Sequence, residues 1–228
     1  MNYATISGDV ISSTSLSGRD KRRLEESING LLNELSSRYS DEGFYGRLVQ
    51  GDHVECAMRK PQYVLRIALI LKTYIKSLEL PKDKPKDKRV NWFKEHGLRL
   101  AAAVAPLDSL DPKAGIIDGK AIQLSGRAIK NLDTSEKQKV IIKHTLFFCS
   151  PDKQTEEQFV PVFFLLDVLL SKSSPKQCKV IYYKLLGYNE GEIAGILGKY
   201  QSTINQHSTA AGWHAIERSV EYFEKIIL

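Results

Sequence analysis

The chain has 228 residues, 42% of them hydrophobic and 26% charged, and its formal net charge is +6 at neutral pH. This balance excludes a disordered chain, and the length leaves room for one large domain and one small one. No run approaches 18 apolar residues, and the N-terminus has no basic stretch followed by an apolar signal core. Three widely spaced cysteines favour reduced thiols over disulfides or zinc ligands. We therefore expect a cytoplasmic protein that does not enter a membrane.

The first part of the chain predicts an α+β domain. Strands are expected at 2–8, 44–50, 53–58 and 98–106, with helices beginning near Ser17 and Pro61. That order is βαββαβ, a ferredoxin-like unit. A further helix from about Gly119 to Asn131 and a strand within 139–149 extend it. The segment 81–89 has alternating charges and prolines, which predicts an exposed loop. An auxiliary contact to phosphates is the alternative.

Two aspartates are the candidate ligands of this domain. In a ferredoxin-like unit the first and third strands are antiparallel neighbours, so Asp9, just past the first, should meet Asp52, at the start of the third. Each follows a glycine, which would let a ligand approach the backbone closely. Two carboxylates in such a place predict a site for Mg²⁺ or Mn²⁺ with a nucleotide. The alternative is a pair of turn residues with no ligand.

Two further apolar helices are predicted, one before the C-terminal region and one at its end. Residues 156–171 are apolar around much of a helix, so we expect burial between domains or between protomers. A second apolar stripe at helical spacing either packs on its own module or contacts a second protomer; it contains Trp213, Ile216, Val220, Phe223 and Ile227. We expect three units: a domain over 1–150, a connector helix and hinge over 151–174, and an all-α domain over 175–228.

Residues 175–228 predict a helix-turn-helix. Ser174 can cap a helix that begins with Pro175, and Gly187 suits its left-handed end. Asn189 and Glu192 have the spacing of a capping box. The packing face of this second helix is expected to contain Ile193, Ala194, Ile196 and Leu197. Gly198 permits the next turn.

The third predicted helix of this region buries Ile204. Its other side chains are short and polar and can form hydrogen bonds with base edges and phosphates. These candidates for DNA binding are Gln201, Ser202, Thr203, Asn205, Gln206 and His207. Double-stranded DNA is therefore the expected partner. A plain helical bundle used for protein contacts is the alternative.

The low net charge of the C-terminal region limits its expected affinity for DNA. Residues 175–228 hold six Lys or Arg against five Asp or Glu, so the region is almost neutral. Because affinity for DNA scales with the number of phosphates neutralised, a single copy should bind weakly. We therefore expect a homodimer, which would present two copies to the DNA.

The C-terminal motifs resemble those of sigma factor region four and of LuxR-type regulators. The similarity comes from the start Pro175-Lys176-Gln177, the core Glu192-Ile193-Ala194, and Thr203-Ile204 followed by His207. Tyr200 departs from the pattern, which usually has a capping Ser or Thr there. Over nearly its whole length the chain is also similar to the SatD family, which pairs such a helix-turn-helix with a preceding domain. The matching motifs are Gly8-Asp9-Val10, Gly51-Asp52, Asp118-Gly119-Lys120-Ala121 and Ser125-Gly126-Arg127.

Residues 3–133 also resemble class III nucleotide cyclases. This resemblance implies metal-binding roles for Asp9 and Asp52 and a transition-state role for Arg127, with Gln123 at the cyclase asparagine position. The alternative for Arg127 is a helix arginine near the surface, paired with a carboxylate. The favoured function is a DNA-binding transcriptional regulator whose cyclase-like domain senses a ligand or dimerises. The alternative is a metal-dependent nucleotide cyclase, or another nucleotidyl or phosphoryl transferase. A purely structural interaction protein is a third possibility.

Overall fold

The computed structural model describes residues 1–78, 80, 93, 95–136 and 144–227. The strands are β1 Asn2–Val10, β2 Tyr45–Val49, β3 His53–Met58, β4 Leu98–Pro106, β5 Ser109–Asp111, β6 Ile116–Asp118 and β7 Leu146–Cys149. The helices are α1 Gly18–Arg38, α2 Val64–Ser77, α3 Lys120–Glu136, α4 Lys153–Lys172, α5 Pro175–Leu185, α6 Glu190–Leu197, α7 Gln201–Ala210 and α8 Trp213–Ile226. The predicted loop at 81–89 lies outside the described residues.

The fold is α+β, and its main sheet has the strand order β2-β3-β1-β4-β7. β1 pairs with β3 and with β4, and both pairings are antiparallel. The predicted neighbourhood of the first and third strands is therefore confirmed. β7 joins the edge in parallel with β4. The small hairpin of β5 and β6 was not predicted, because three-residue strands are too short to show a period.

Helices cover both faces of this sheet. On one face, apolar side chains such as Ala4 and Ile6 belong to the main core together with residues of α1 and α2. On the other face, Ser125 of α3 lies 2.8 Å from the hydroxyl of Ser7 and 3.2 Å from that of Thr5. Successive residues of a strand point to opposite faces, so β1 has an apolar side and a polar side.

The C-terminal helices share the core of the sheet. The ring of Phe148 in β7 lies 5.0 Å from Phe163 of α4 and 5.6 Å from Phe223 of α8. α5 packs along α2, where the rings of Tyr74 and Tyr182 are 5.1 Å apart. The apolar stripe of α8 is thus buried inside its own chain. The division of the chain at residues 150 and 174 stays a prediction.

A buried ion pair fixes α4 against α2 and β7. Lys72 of α2 is 1% exposed and Asp167 of α4 is 4% exposed. The ammonium lies 3.3 Å from Oδ1 of Asp167 and donates to the hydroxyl of Thr145 at 2.6 Å and to the carbonyl of Leu98 at 2.8 Å. Thr145 in turn donates its N–H and its hydroxyl to the two oxygens of Asp167. All the charged atoms of the pair therefore have partners.

The protonation of this pair follows from burial and from attraction. Burial lowers the pKa of Lys72, while Asp167 opposes that effect. Burial acts to raise the pKa of Asp167, but Lys72 and the hydrogen bonds from Thr145 hold that pKa below its usual value. One turn along α2, Lys76 donates to the carbonyls of Leu170 and Ser171 at 2.5 and 2.7 Å, which satisfies acceptors at the end of α4.

None of the described helices is both long enough and apolar enough to cross a bilayer.

A double-mutant cycle tests the buried pair. Lys72→Met and Asp167→Asn should each lower the free energy of unfolding by about 3 kcal/mol, because each leaves one buried charge without its counter-ion. The double variant should be at least about 1 kcal/mol more stable than additivity predicts, since no charge then remains. Urea unfolding followed by circular dichroism measures all three, with the exposed Lys176→Met as control. Strictly additive losses would contradict the coupling.

Candidate functional site

The two predicted ligands lie at the same end of the sheet. Asp9 is inside β1, which runs to Val10 rather than ending at residue 8, and it faces His53 of β3. Asp52 occupies the turn before β3, and its carbonyl accepts a hydrogen bond from the N–H of Val10 at 3.0 Å. Its carboxylate accepts the hydroxyl of Ser13 at 2.6 Å. The topology thus places the aspartates close together, as the sequence predicts.

The glycines before these aspartates have structural roles that the sequence analysis did not anticipate. A Cβ on Gly8 would lie 2.3 Å from the side chain of Leu100, so this close approach belongs to the core and leaves no room for a ligand. Gly51 has a φ of +81°, a conformation that side chains rarely adopt. The expectation that both glycines expose backbone to a ligand is therefore wrong for Gly8, and the turn alone explains Gly51.

Arg99 of β4 forms an ion pair with the carboxylate of Asp9. Its Nε and one terminal nitrogen donate to the two oxygens of Asp9, both at 2.9 Å. This guanidinium is buried, and two parallel bonds between guanidinium and carboxylate form a strong geometry. A cation bound at Asp9 would lie beside the positive charge of Arg99, which would oppose its binding. The described residues contain no group of three or more His, Cys, Asp or Glu side chains placed to hold a metal ion.

A second arginine pair lies on the same face of the sheet. Arg47 of β2 donates through Nε and a terminal nitrogen to Glu55 of β3 at 2.9 and 2.5 Å. Its other terminal nitrogen bonds the carbonyl of Gly115, which ties the β5–β6 hairpin to the sheet. The described carboxylates here thus have arginine partners or a serine donor, and the surface is polar without being strongly charged. Arg47 and Arg99 were missed because strand register decides which carboxylate each one meets.

Gln123 and Arg127 lie on the side of α3 that faces away from the sheet and from Asp9 and Asp52. Both are exposed on α3, one turn apart. The residues of α3 that face the sheet include Ala121, Ser125 and Ile129, which are buried. At 100° per residue, Gln123 and Arg127 lie on the opposite side of the helix. No catalytic constellation of these residues with Asp9 and Asp52 is therefore assembled in the described chain.

The second candidate surface is built from α5, α6 and α7. The side chains of Ser174 and Asn189 cap α5 and α6, each in a full capping box. Gly187 and Gly198 take positive φ values of 94° and 59° in the two turns. A small apolar cluster joins the three helices; it contains Val180, Ile193, Ala194 and Ile204. The predicted caps, turns and most of the predicted packing residues are confirmed.

One packing residue was predicted wrongly. Ile196 was expected on the buried face of α6, but it is 49% exposed. α6 has only eight residues, and the α5 and α7 contacts cover the side that carries Ile193 and Ala194. Tyr200, which directly precedes α7, is also exposed and makes no side-chain cap. The departure noted in the sequence therefore leaves the start of α7 without a capping side chain.

α7 presents most of its predicted polar residues to solvent. Gln201, Ser202, Asn205 and Gln206 are exposed, whereas Thr203 and His207 are half-buried. Asn205 donates to Glu190 at 3.2 Å, and Lys184 lies 3.1 Å from the same carboxylate. Burial acts to raise the pKa of Glu190, but the hydrogen bonds from Lys184 and Asn205 lower it. An ionised carboxylate therefore lies beside α7, a helix that contains no Lys or Arg.

Comparisons with known proteins identify no family for this chain. No family model matches the chain, and no curated protein matches it. Two solved structures, each described as a bacterial light-regulated adenylyl cyclase, are similar to part of it at 14% identity. The first has a TM-score of 0.41 and covers 64% of this chain and 74% of its own length. The second has a TM-score of 0.42 and covers 65% of this chain, which spans less than half (43%) of the cyclase. Likeness at this level bears on neither activity nor ligand.

The Asp9–Arg99 pair predicts unequal effects of two similar substitutions. Asp9→Asn should lower the free energy of unfolding by about 2 kcal/mol, because the buried guanidinium loses the carboxylate that two of its nitrogens bind. Asp52→Asn should cost less than about 1 kcal/mol, because the amide oxygen still accepts the hydroxyl of Ser13. Urea unfolding of both proteins gives the comparison. Equal losses would mean that Arg99 does not depend on Asp9.

Proposed function

We propose that this protein is a DNA-binding transcriptional regulator that reads DNA with α7. The observation that carries the proposal is the two-sided character of this helix. Ile204 packs on residues of α5 and α6, and Ser208 is buried as well. The other side offers amide and hydroxyl groups to solvent. Side chains of this kind bond base edges in the major groove, which is wide enough to admit one α-helix.

The arrangement of the neighbouring helices supports α7 as the reading element rather than α6. α6 begins with Glu190 and Glu192, and carboxylates at its N-terminus would be repelled by phosphates. α7 has no acidic residue in its first turn, and the exposed Lys199 precedes it. In a helix-turn-helix, the N-terminal residues of the recognition helix contact base edges. Gln201, Ser202 and Asn205 have that position here.

The proposal extends to the family and to the first domain. The motifs similar to the SatD family, to sigma factor region four and to LuxR-type regulators support a protein that joins a cyclase-like domain to a DNA-binding one. In this proposal the sheet domain senses a ligand or pairs with a second protomer, and α7 is the output. A nucleotide held with Mg²⁺ or Mn²⁺ is the ligand that the sequence favours.

An enzyme is the second candidate. The adjacency of Asp9 and Asp52 favours a metal-dependent nucleotide cyclase or another nucleotidyl or phosphoryl transferase. Two features rank it below the regulator: Arg99 holds both oxygens of Asp9, and Arg127 lies on the outer side of α3. Such chemistry tolerates little misplacement of its charged groups.

Selection of genomic DNA fragments by the purified protein tests the regulator. We expect enrichment of defined sequences, and Gln201→Ala should reduce affinity for an enriched fragment by about 10- to 100-fold, since one good base contact is worth about 1–3 kcal/mol. Gln154→Ala changes an exposed glutamine of α4 and is the matched control. Absence of any enriched sequence, or equal binding by the two variants, would reject DNA reading by α7.

Incubation with nucleoside triphosphates and Mn²⁺, followed by chromatography, tests the enzyme. We expect no cyclic or transferred product, because Asp9 is already paired with Arg99. Product that forms with the unmutated protein and is abolished by Asp52→Asn would reverse the ranking. Calorimetry of the same mixtures reports nucleotide binding separately, and loss of binding in Asp52→Asn would support the sensor.

A further inference from the structure

The outer face of α4 is apolar where a surface helix is normally polar. Three of its exposed residues, Pro161, Leu165 and Val168, lie at helical spacing, and Leu165 and Val168 are 68% and 43% exposed. Glu157 and Lys172 continue the same line at its two ends and are also exposed. We call these five residues the α4 stripe. At 100° per residue they fall within about 80° of arc.

This stripe points directly away from the core of its own chain. The buried residues of α4 include Phe159, Phe163, Leu166 and Leu170, which lie on the opposite side of the helix. α1 also packs on the core, yet its exposed positions are polar, for example Arg19, Arg22, Glu26 and Asn33. A contiguous apolar line on the outer side of a helix is a mark of an interaction surface.

α8 widens the apolar area. Its exposed residues Tyr222 and Ile226 are one turn apart, and the ring of Tyr222 lies 5.8 Å from that of Phe159. Gln158 donates to the hydroxyl of Tyr222, which fixes the two helices side by side. At 100° per residue Gln158 lies 20° from Leu165, so the hydroxyl of Tyr222 borders the stripe at this point.

The charges of the stripe indicate its occupant. Glu157 lies at the N-terminal end and Lys172 at the C-terminal end, fifteen positions or about 22 Å along the helix. In an antiparallel pair of identical helices about a two-fold axis, Glu157 of each copy faces Lys172 of the other. The same register sets Pro161 against Val168 and Leu165 beside Phe164. Within the described residues neither Glu157 nor Lys172 makes an ion pair, so both are available for these contacts.

We propose that the α4 stripe is the interface of an antiparallel homodimer, in which a second copy of this chain lies with its α4 across the first. Such an isologous contact buries the same patch on both subunits and closes the assembly at two. The stripe alone is smaller than a standard interface of about 800 Å² per partner, so Tyr222 and Ile226 must add to it. Dimerisation is then concentration-dependent.

This inference does not depend on DNA binding. If DNA reading by α7 and dimerisation through the α4 stripe both hold, α8 links the two, because it follows α7 in the chain and borders the dimer surface. Two copies of α7 would then stand at a fixed separation. The dimer itself is measured without DNA, so either proposal can fail while the other stands.

Sedimentation velocity between about 1 and 100 µM protein tests the interface. The unmutated chain should shift from monomer to dimer over this range. Leu165→Glu places two carboxylates at the centre of the interface and should weaken dimerisation by at least about 100-fold. Ile116→Glu, which alters an exposed isoleucine of the β5–β6 hairpin, is the matched control and should dimerise normally. A monomer at every concentration, or a dimer insensitive to Leu165→Glu, would overturn the proposal.

Charge reversal tests the antiparallel register. Glu157→Lys and Lys172→Glu should each weaken the dimer by about tenfold at low salt, because each puts two like-charged contacts in the assembly. The double variant Glu157→Lys/Lys172→Glu should recover most of the original affinity. Circular dichroism checks that every variant is folded. Failure of the double variant to recover would reject this arrangement.

Discussion

The buried pair of Lys72 and Asp167 is the constraint on which the arrangement of the helices depends. A lysine inside a core is tolerated only with a counter-ion and a full set of acceptors, and Asp167, Thr145 and the carbonyl of Leu98 supply them. Because these partners come from α4, from the residue before β7 and from β4, the pair fixes α4 against the edge of the sheet. α8 then packs on the phenylalanines of α4, whereas α7 packs on α5 and α6. α5 in turn packs along α2, the helix that carries Lys72, so the candidate DNA-reading helix is joined to the helix of the buried pair.

The same network reaches the aspartate end of the sheet. Arg99, which holds Asp9, lies between Leu98, whose carbonyl accepts from Lys72, and Leu100, whose N–H donates to the carbonyl of Thr145 at 2.8 Å. A shift of the β4 backbone at Arg99 would therefore strain hydrogen bonds that anchor α4. These contiguous hydrogen bonds connect Asp9 physically to α4. They can act as a conformational switch only if the network has a second stable arrangement.

Local rules predicted much of the fold, and tertiary contacts account for most of the errors. The caps at Ser174 and Asn189 and the turns at Gly187 and Gly198 depend on a few adjacent residues, so sequence spacing was sufficient. The meeting of Asp9 and Asp52 followed from topology. Arg99 was missed because its partner depends on strand register, and Lys72 because a lysine in an amphipathic pattern is normally placed on the surface. Ile196 was misplaced because a helix of eight residues leaves part of an apolar face uncovered.

The low charge around α7 has a consequence for selectivity. Phosphate contacts provide affinity for any DNA, whereas contacts to base edges distinguish one sequence from another. If α7 reads DNA as we propose, it gains little from phosphates, because Glu190 lies beside it and few cations surround it. Its non-specific binding should then be weak and its salt dependence shallow. What matters in a genome is the ratio of specific to non-specific affinity. A weakly charged helix raises that ratio if its total affinity comes from two copies, each reading half of a site.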